Sequence, residues 1–362
     1  MILFTGDLFL GKEDNIISNE VKKIITNNRY IFTNLESVVS KGSLSKRKDK
    51  NSILEFNETN LRNYLSHIDA EQILSLGNNH IHDLGEEGLE NTKDILSKYD
   101  VKYFGVDYLL KVISPFILKI KNIKIAFLCV STEEPEVTSI CASENHQGVL
   151  DYNDCRIKNI IQKTKKKVDF FIIFPHWGRE FLDYPSVQLR YKAYNWIDAG
   201  ADLIIGNHPH IIQGKESYKG KWIYYSLGNY IFPDFFKKNG VKKSWGKSNS
   251  HSVMLKIDFD KNIVINEIGL FYDTKTNELK LNRKSIDILN YKSESLNILS
   301  VPIKRYFSLW EKNYLQKILY QDTHTHNIIN KFFPRHRDHS RIVYFFLRLI
   351  KKIKGDNGFN KS

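Results

Sequence analysis

The feature that most constrains this chain is a series of short apolar segments, each followed closely by a residue able to bind a metal or move a proton. The segments are 2–5, 30–35, 72–76, 123–130, 168–174, 202–205 and 222–227. They are rich in Ile, Val, Phe and Tyr, as strands are. Amphipathic stretches at 85–99, 155–166 and 186–199 separate several of them, the first with Leu89, Ile95 and Leu96 on one face. Continuous apolar runs interleaved with helical periods predict an α/β fold with strands buried on both faces.

The remainder has a different character. Residues 41–52 are rich in Lys, Ser and Asn and predict an exposed loop. Segments 252–259 and 263–272 alternate apolar and polar residues, which predicts an antiparallel hairpin. From about residue 293 the chain turns helical and basic: 301–362 hold 13 Lys/Arg against 4 Asp/Glu, and 1–300 hold 41 against 37. The +13 net charge therefore belongs mainly to the tail, and the expected division is a domain at 1–290 and a basic helical extension at 291–362. On a helix over 340–354, Ile342, Phe345, Phe346, Leu349 and Ile353 share one face, with Arg341, Arg348, Lys351, Lys352 and Lys354 around the rest. Such a helix either docks on its own domain or rests peripherally on an anionic membrane.

Several classes are not expected. No apolar run approaches the roughly 20 residues of a membrane span. The first residues lack the charged region and cleavage site of a signal peptide. Cys129, Cys141 and Cys155 make neither a zinc motif nor a disulfide framework. A cytoplasmic protein is expected. No nucleic-acid partner is expected, since no helix-turn-helix, zinc finger or aromatic RNA-binding signature is present.

Ligands of α/β sheets bind beyond the carboxyl ends of the strands. Those positions hold Asp7, Glu36, Asn79 with His80, His176, and His208-Pro209-His210. The set is rich in nitrogen and oxygen and contains no thiolate, which suits one or two Mn, Zn or Fe(II) ions. In an extended segment His208 and His210 would point the same way, whereas in a tight turn they could aim at two adjacent metals. Two cations about 3.5–4 Å apart clamp the attacking and leaving oxygens of a phosphoryl displacement, and Glu36 or Asp7 could lie between them. His80 is the candidate acid for the leaving group, and Asp83, three residues on, the candidate for fixing its tautomer. Arg179 could clamp a phosphate or carboxylate. Lys215, Glu216 and Tyr218 either line the site or form a solvated turn. Trp177 reads as packing, and His324 and His326 as a surface loop.

At these residues the sequence resembles a known family. The segments are Phe-Thr-Gly-Asp7, Thr-Asn34-Leu-Glu36, Gly-Asn-Asn79-His80-Ile-His-Asp83-Leu-Gly85, His176-Trp-Gly-Arg-Glu180, Asn-His208-Pro-His210 and Ser-Leu-Gly-Asn229-Tyr-Ile-Phe232. Over roughly residues 1–235 they resemble the capsule-synthesis CapA (poly-γ-glutamate synthesis) family of the calcineurin-like metallophosphoesterase superfamily. The resemblance implies a four-layer α/β/β/α sandwich of two mixed sheets with metals at the sheet ends. Asp7 and His210 would hold one ion, Asn79, His176 and His208 the other, and Glu36 would bridge. Asn34, Arg179, Glu180 and Asn229 would be substrate contacts. The wider superfamily usually has Asp-x-His at the first strand, and here Asp7-Leu8-Phe9 carries Phe; Glu36 stands where that superfamily has Asp.

The expected function is a metal-dependent hydrolase of phosphoester type serving assembly of a capsule, poly-γ-glutamate or another bacterial surface polymer, on a phosphorylated or anionic substrate. Two alternatives stay open. One is a non-hydrolytic accessory protein holding a polymer or lipid-linked intermediate at the membrane. The other is a hydrolase or transferase acting on an amide or carboxyl bond.

Overall fold

The computed structural model describes residues 1–297 apart from 13, 42–43, 107–112, 135–136 and 261. Two mixed sheets dominate the described residues. The larger runs in the order Ile16–Ile17, Glu278–Leu281, Ile263–Asp273, His251–Phe259, Ile2–Leu8, Tyr30–Leu35, Glu71–Ser75, Lys102–Phe104, and the short strand Asn229–Ile231 also pairs with Ile2–Leu8. The second runs Lys215–Tyr218, Lys221–Tyr224, Leu203–Ile205, Phe170–Pro175, Ile123–Val130, Phe116–Ile120. The chain is thus α/β, as its alternation predicts.

Burial on both faces follows from which neighbours each strand meets. Ile2, Phe4, Phe32, Ile73 and Phe104 of the larger sheet pack with Phe127, Phe174, Leu203 and Tyr224 of the second in one apolar cluster. Leu3, Ile31 and Leu74 point to the opposite face and pack with Val21 and Ile25 of the helix Asn19–Thr26, Leu61 of Glu58–Leu65, and Leu89, Ile95 and Leu96 of Gly85–Lys98. Beyond the second sheet, Ile157 and Ile161 of Ile157–Lys165 and Ala193, Trp196 and Ile197 of Val187–Ala199 cover Leu128, Phe171 and Ile204. The helix Val187–Ala199 starts at Ser186, whose hydroxyl accepts from the Leu189 N–H at 3.3 Å, and stops at Gly200 with φ 121°. Each end has the residue its geometry requires.

The expected hairpin is His251–Phe259 with Ile263–Asp273, antiparallel from His251 opposite Phe271 to Phe259 opposite Ile263. The helix expected from about 293 begins earlier, as Arg283–Asn297, so it runs through residue 290. Residues 298–362, including 340–354, His324 and His326, lie outside the described residues. Among the described residues no helix is long and apolar enough to cross a membrane.

The first strand is the keystone of the site. It is longer than its apolar run suggests and holds Asp7 inside it. Its pairing with Tyr30–Leu35 shifts register between Phe4 and Asp7, and its pairing with Asn229–Ile231 between Asp7 and Leu8. Such irregularities re-aim side chains beside functional sites. Gly6 permits the close approach: a Cβ there would lie 1.7 Å from the Gly228 carbonyl oxygen, which accepts from the Asp7 N–H at 3.1 Å. Gly6→Ala is therefore expected to cost roughly 3 kcal/mol or more, because backbone must move in a packed sheet. A urea melt measures this, and an unchanged midpoint would contradict the stated role of Gly6.

Candidate metal centre

Parallel strands of both sheets end at one edge, and the residues that follow them converge there. In the larger sheet Asp7 stands in register with Asn34 on one side and Asn229 on the other. In the second, His176 bridges to Asn207 next to the His208-Pro209-His210 turn. Asp7, Asn34, Glu36, Asn79, His80, Asp83, His176, His208, His210 and Asn229 are all buried.

Two groups of potential ligand atoms result, each within 4.8 Å: Glu36, His176 and His208; and Asp7, Glu36 and His210. Glu36 belongs to both. Its Oε1 lies 3.6 Å from His176 Nε2, 3.6 Å from His210 Nε2 and 3.9 Å from His80 Nε2. The Asn79 amide oxygen joins the first group, 2.9 Å from His176 Nε2, and His208 Nδ1 lies 3.0 Å from that same nitrogen. In the second group Asp7 Oδ2 is 3.7 Å from His210 Nδ1. Asp7 is held by Asn34, which donates to Oδ1 at 2.8 Å, and by the His208 N–H, which donates to Oδ2 at 3.1 Å. Asn78 steadies Asn34 from behind, donating to its Oδ1 at 3.2 Å and to the Leu35 carbonyl at 2.8 Å.

Of the two geometries open to the His208-Pro209-His210 segment, the tight turn is the one formed. His208 has φ 98° and His210 φ 57°, conformations that cost a non-glycine residue about 1–3 kcal/mol each. The turn splits the pair, sending His208 toward His176 and His210 toward Asp7 and Glu36. Surrounding contacts offset the strain: the Phe181 N–H donates to the Pro209 carbonyl at 2.9 Å and Asn249 Nδ2 to the His210 carbonyl at 2.9 Å. The His210 ring is fixed by Asn229 Oδ1, 2.9 Å from Nδ1.

The electrostatics of this pocket suit a cation. Burial, the Asp7 charge and the Glu180 charge push the Glu36 carboxyl well above its ordinary pKa, and among the described residues no N–H or hydroxyl donor reaches either of its oxygens. Burial raises Asp7 too, against the opposing influence of His210 and Asn34. Burial and the neighbouring His208 and His210 hold His176 well below the usual range, so its ring is neutral and able to act as a ligand. A fully buried carboxylate with both oxygens unpartnered is costly, and an ion is one of the few things that satisfies it. The donors fit a divalent metal of the Mn, Zn or Fe(II) kind.

Beside the ligand groups lies a separate dyad. His80 Nδ1 donates to Asp83 Oδ2 at 2.6 Å. Asp83 also accepts from the Leu54 N–H at 2.8 Å and from Lys50 Nζ at 3.1 Å. Lys50 is a residue the sequence reading missed. It sits in the stretch read as an exposed loop, yet its side chain is only 10% exposed, and its ammonium also donates to the Asn79 carbonyl at 2.7 Å. Burial pulls the Lys50 and His80 pKa values down, with Asp83 opposing both shifts. His80 and Lys50 together bring Asp83 below the usual carboxylate range, against its own burial.

The other expected residues fall elsewhere. Glu180 is exposed, yet its charge reaches Glu36. Arg179 is half-buried beside it. Lys215, Glu216 and Tyr218 form a strand rather than a site wall or solvated turn. Glu216 is buried and pairs with Arg190, and Lys215 pairs with Glu267. Trp177 packs, its Nε1 donating to the Tyr225 carbonyl at 2.9 Å and its ring stacking on Trp196 at 5.6 Å. Phe9 lies in an aromatic cluster, 5.3 Å from the Phe232 ring and 5.8 Å from Phe235. Phe232 in turn contacts the His210 ring at 5.0 Å. An apolar wall thus stands beside the His210 ring.

Residues 2–234 match the family model described as bacterial capsule synthesis protein PGA_cap. The chain is 29% identical over 240 residues to the PGA biosynthesis protein CapA of Bacillus subtilis (strain 168), covering 63% of this chain and 62% of that protein. It is 30% identical over 244 residues to the capsule biosynthesis protein CapA of Bacillus anthracis, covering 63% and 58%. The match therefore spans about three fifths of the length of these relatives. Among solved structures it is similar to the sulfate thiohydrolase SoxB of Thermus thermophilus, at 13% identity over 65% of this chain and 38% of that one, with a TM-score of 0.38, too low to carry an inference. With well over half of its length matched, this chain belongs to the bacterial capsule synthesis protein family, PGA_cap.

Proposed function

We propose that this protein is a divalent-metal-dependent hydrolase of phosphoester type that serves assembly of a capsule or poly-γ-glutamate-like surface polymer. The observation that carries the reading is Glu36: buried, shared by both ligand groups, and with no hydrogen-bond donor on either oxygen among the described residues. Asp7, Glu36 and His210 would hold one ion, and Glu36, Asn79, His176 and His208 another. Ions so held would supply Lewis-acid polarisation of the scissile group and a water acidic enough to react near neutral pH. The residues around them do the rest. Asn34 and the His208 N–H orient Asp7, Asn229 orients His210, and Asp83 fixes the His80 ring with Nε2 turned toward Glu36. A neutral His80 that donates from Nδ1 carries no proton on Nε2. An anionic substrate beside it would favour the second proton, which His80 then delivers to the leaving oxygen. The names of the CapA relatives support the polymer setting.

The test is direct. Protein stripped with chelator and then titrated with Mn, Zn or Fe(II) should take up one or two ions by elemental analysis and hydrolyse bis(p-nitrophenyl) phosphate only when loaded. Protein that takes up none of the three and does not respond to them would refute the proposal. A second reading is favoured by Phe9 and its aromatic wall: the centre binds its ion and an anionic chain without turning it over. Uptake of metal with binding but no hydrolysis of phosphodiesters would select it.

A further inference from the structure

We propose that the hairpin Phe235–Phe236 / Lys242–Lys243 is a membrane-docking surface that seats on anionic lipid. The hairpin is well defined, with Phe235 opposite Lys243 and Phe236 opposite Lys242. Its turn is closed by the Lys237 N–H donating to the Val241 carbonyl at 2.9 Å and the Gly240 N–H to the Lys237 carbonyl at 2.9 Å. At its tip Phe236 is 68% exposed and Val241 55% exposed. Single exposed apolar residues are ordinary. These two are set among Lys237, Lys238 and Lys242, with Asp234 the one carboxylate between 233 and 247. Large apolar side chains ringed by lysines match the interface of an anionic bilayer, with apolar tips below the headgroups and ammonium groups among the phosphates.

The ground behind the hairpin has the same character. A cleft of about 460 Å³ lies against it, and its charged lining is Lys12, Lys46, Lys237, Lys238 and Lys242 against Glu55 and Asp234. Lys46 pairs with Glu55 at 2.7 Å and Lys242 with Asp234 at 3.2 Å, and the lining keeps a positive balance of 5 − 2 = +3. The cleft has room for a phosphate headgroup. The stem of the hairpin is also a wall of the candidate metal centre. The Trp245 ring lies 5.2 Å from that of His210, and Lys243 Nζ lies 4.5 Å over Phe181. Docking would therefore bring that wall to the lipid surface. This inference uses a surface distinct from 340–354, and it stands whether or not the centre is hydrolytic.

The experiment is flotation of the full chain with vesicles of phosphatidylcholine, with and without phosphatidylglycerol, at about 0.1 M salt. The parent should float with the anionic vesicles and stay behind with the neutral ones. Each lysine at such a surface contributes about fivefold in partition, so K237E/K238E should lower it at least about 25-fold, and F236D about tenfold or more. A chain lacking 340–354 should keep its sensitivity to both changes. F236W provides a reading that does not depend on charge reversal: its emission should shift to the blue with anionic vesicles and be quenched by brominated acyl chains. A parent that ignores anionic vesicles, variants that float like the parent, or F236W emission that is unmoved would each overturn the proposal. Metal content, unchanged in all these variants, separates this outcome from failure of the catalytic reading.

Discussion

Replacing Glu36 with glutamine will strip the centre of most of its divalent ion and leave the metal-free protein at least as stable as the parent. Glu36 is the member common to both ligand groups, so neither keeps its charge balance without it. Bound metal, read by elemental analysis after dialysis, should fall by at least half, and hydrolysis of bis(p-nitrophenyl) phosphate by about 10²-fold or more. The stability half of the prediction follows from linkage. The Glu36 pKa is raised in the folded state by burial, Asp7 and Glu180. The metal-free native state therefore keeps a proton that the unfolded chain releases near pH 4.5. That makes stability fall as pH rises from there up to the raised value, by at most about 1.4 kcal/mol per pH unit. E36Q removes the group, so parent and variant should be alike near pH 4 and diverge in favour of the variant by pH 8. Metal affinity of the parent should rise over the same interval, because binding must expel that proton. A variant that retains its full complement of metal would remove Glu36 from the centre.

Much of this centre could be read before the fold was known, for a simple geometric reason. Parallel strands in a mixed sheet finish at a common edge, so the residues after successive apolar runs become neighbours however far apart they stand in sequence. Asp7, Glu36, Asn79, His80, His176, His208 and His210 were placed at that edge this way, each within five residues of the end of its run. What could not be read is what tertiary contacts decide. Lys50 lies among Lys, Ser and Asn residues, and no period marks it as inward; only Asp83 and the Asn79 carbonyl, brought near by folding, draw it in. Glu216 read equally as a site wall or a solvated turn because its partners, Arg190 and Tyr225, come from a helix and from just past the end of a second strand. The wall formed by Phe9, Phe232, Phe235 and Trp245 joins residues from opposite ends of the domain, and nothing in their separate stretches shows that they meet.

The dyad gives the second large effect, and a sharp one because it separates proton delivery from metal holding. His80 neighbours the candidate ligand Asn79, and its ring meets the ligand groups through the 3.9 Å approach of Nε2 to Glu36. H80N should therefore leave bound metal unchanged while lowering kcat by about 10²–10⁴-fold. The size of the loss should depend on the leaving group. A nitrophenolate departs readily without a proton, whereas a phenolate, with an ordinary pKa near about 10, departs far better with one. The penalty of H80N should therefore be several times larger for a phenyl ester than for the matching nitrophenyl ester. A mere packing defect would lower both alike. D83N should show the same leaving-group bias at smaller size, because the ring stays in place while its tautomer and its second proton lose their carboxylate partner. K50M tests positioning from the other side. Lys50 lowers the His80 pKa and ties Asp83 to the Asn79 backbone, so its loss should shift the pH dependence of the phenyl ester reaction upward. Equal losses on both esters in H80N, or metal lost along with activity, would place His80 among the supports of the centre and deny it any part in moving the proton.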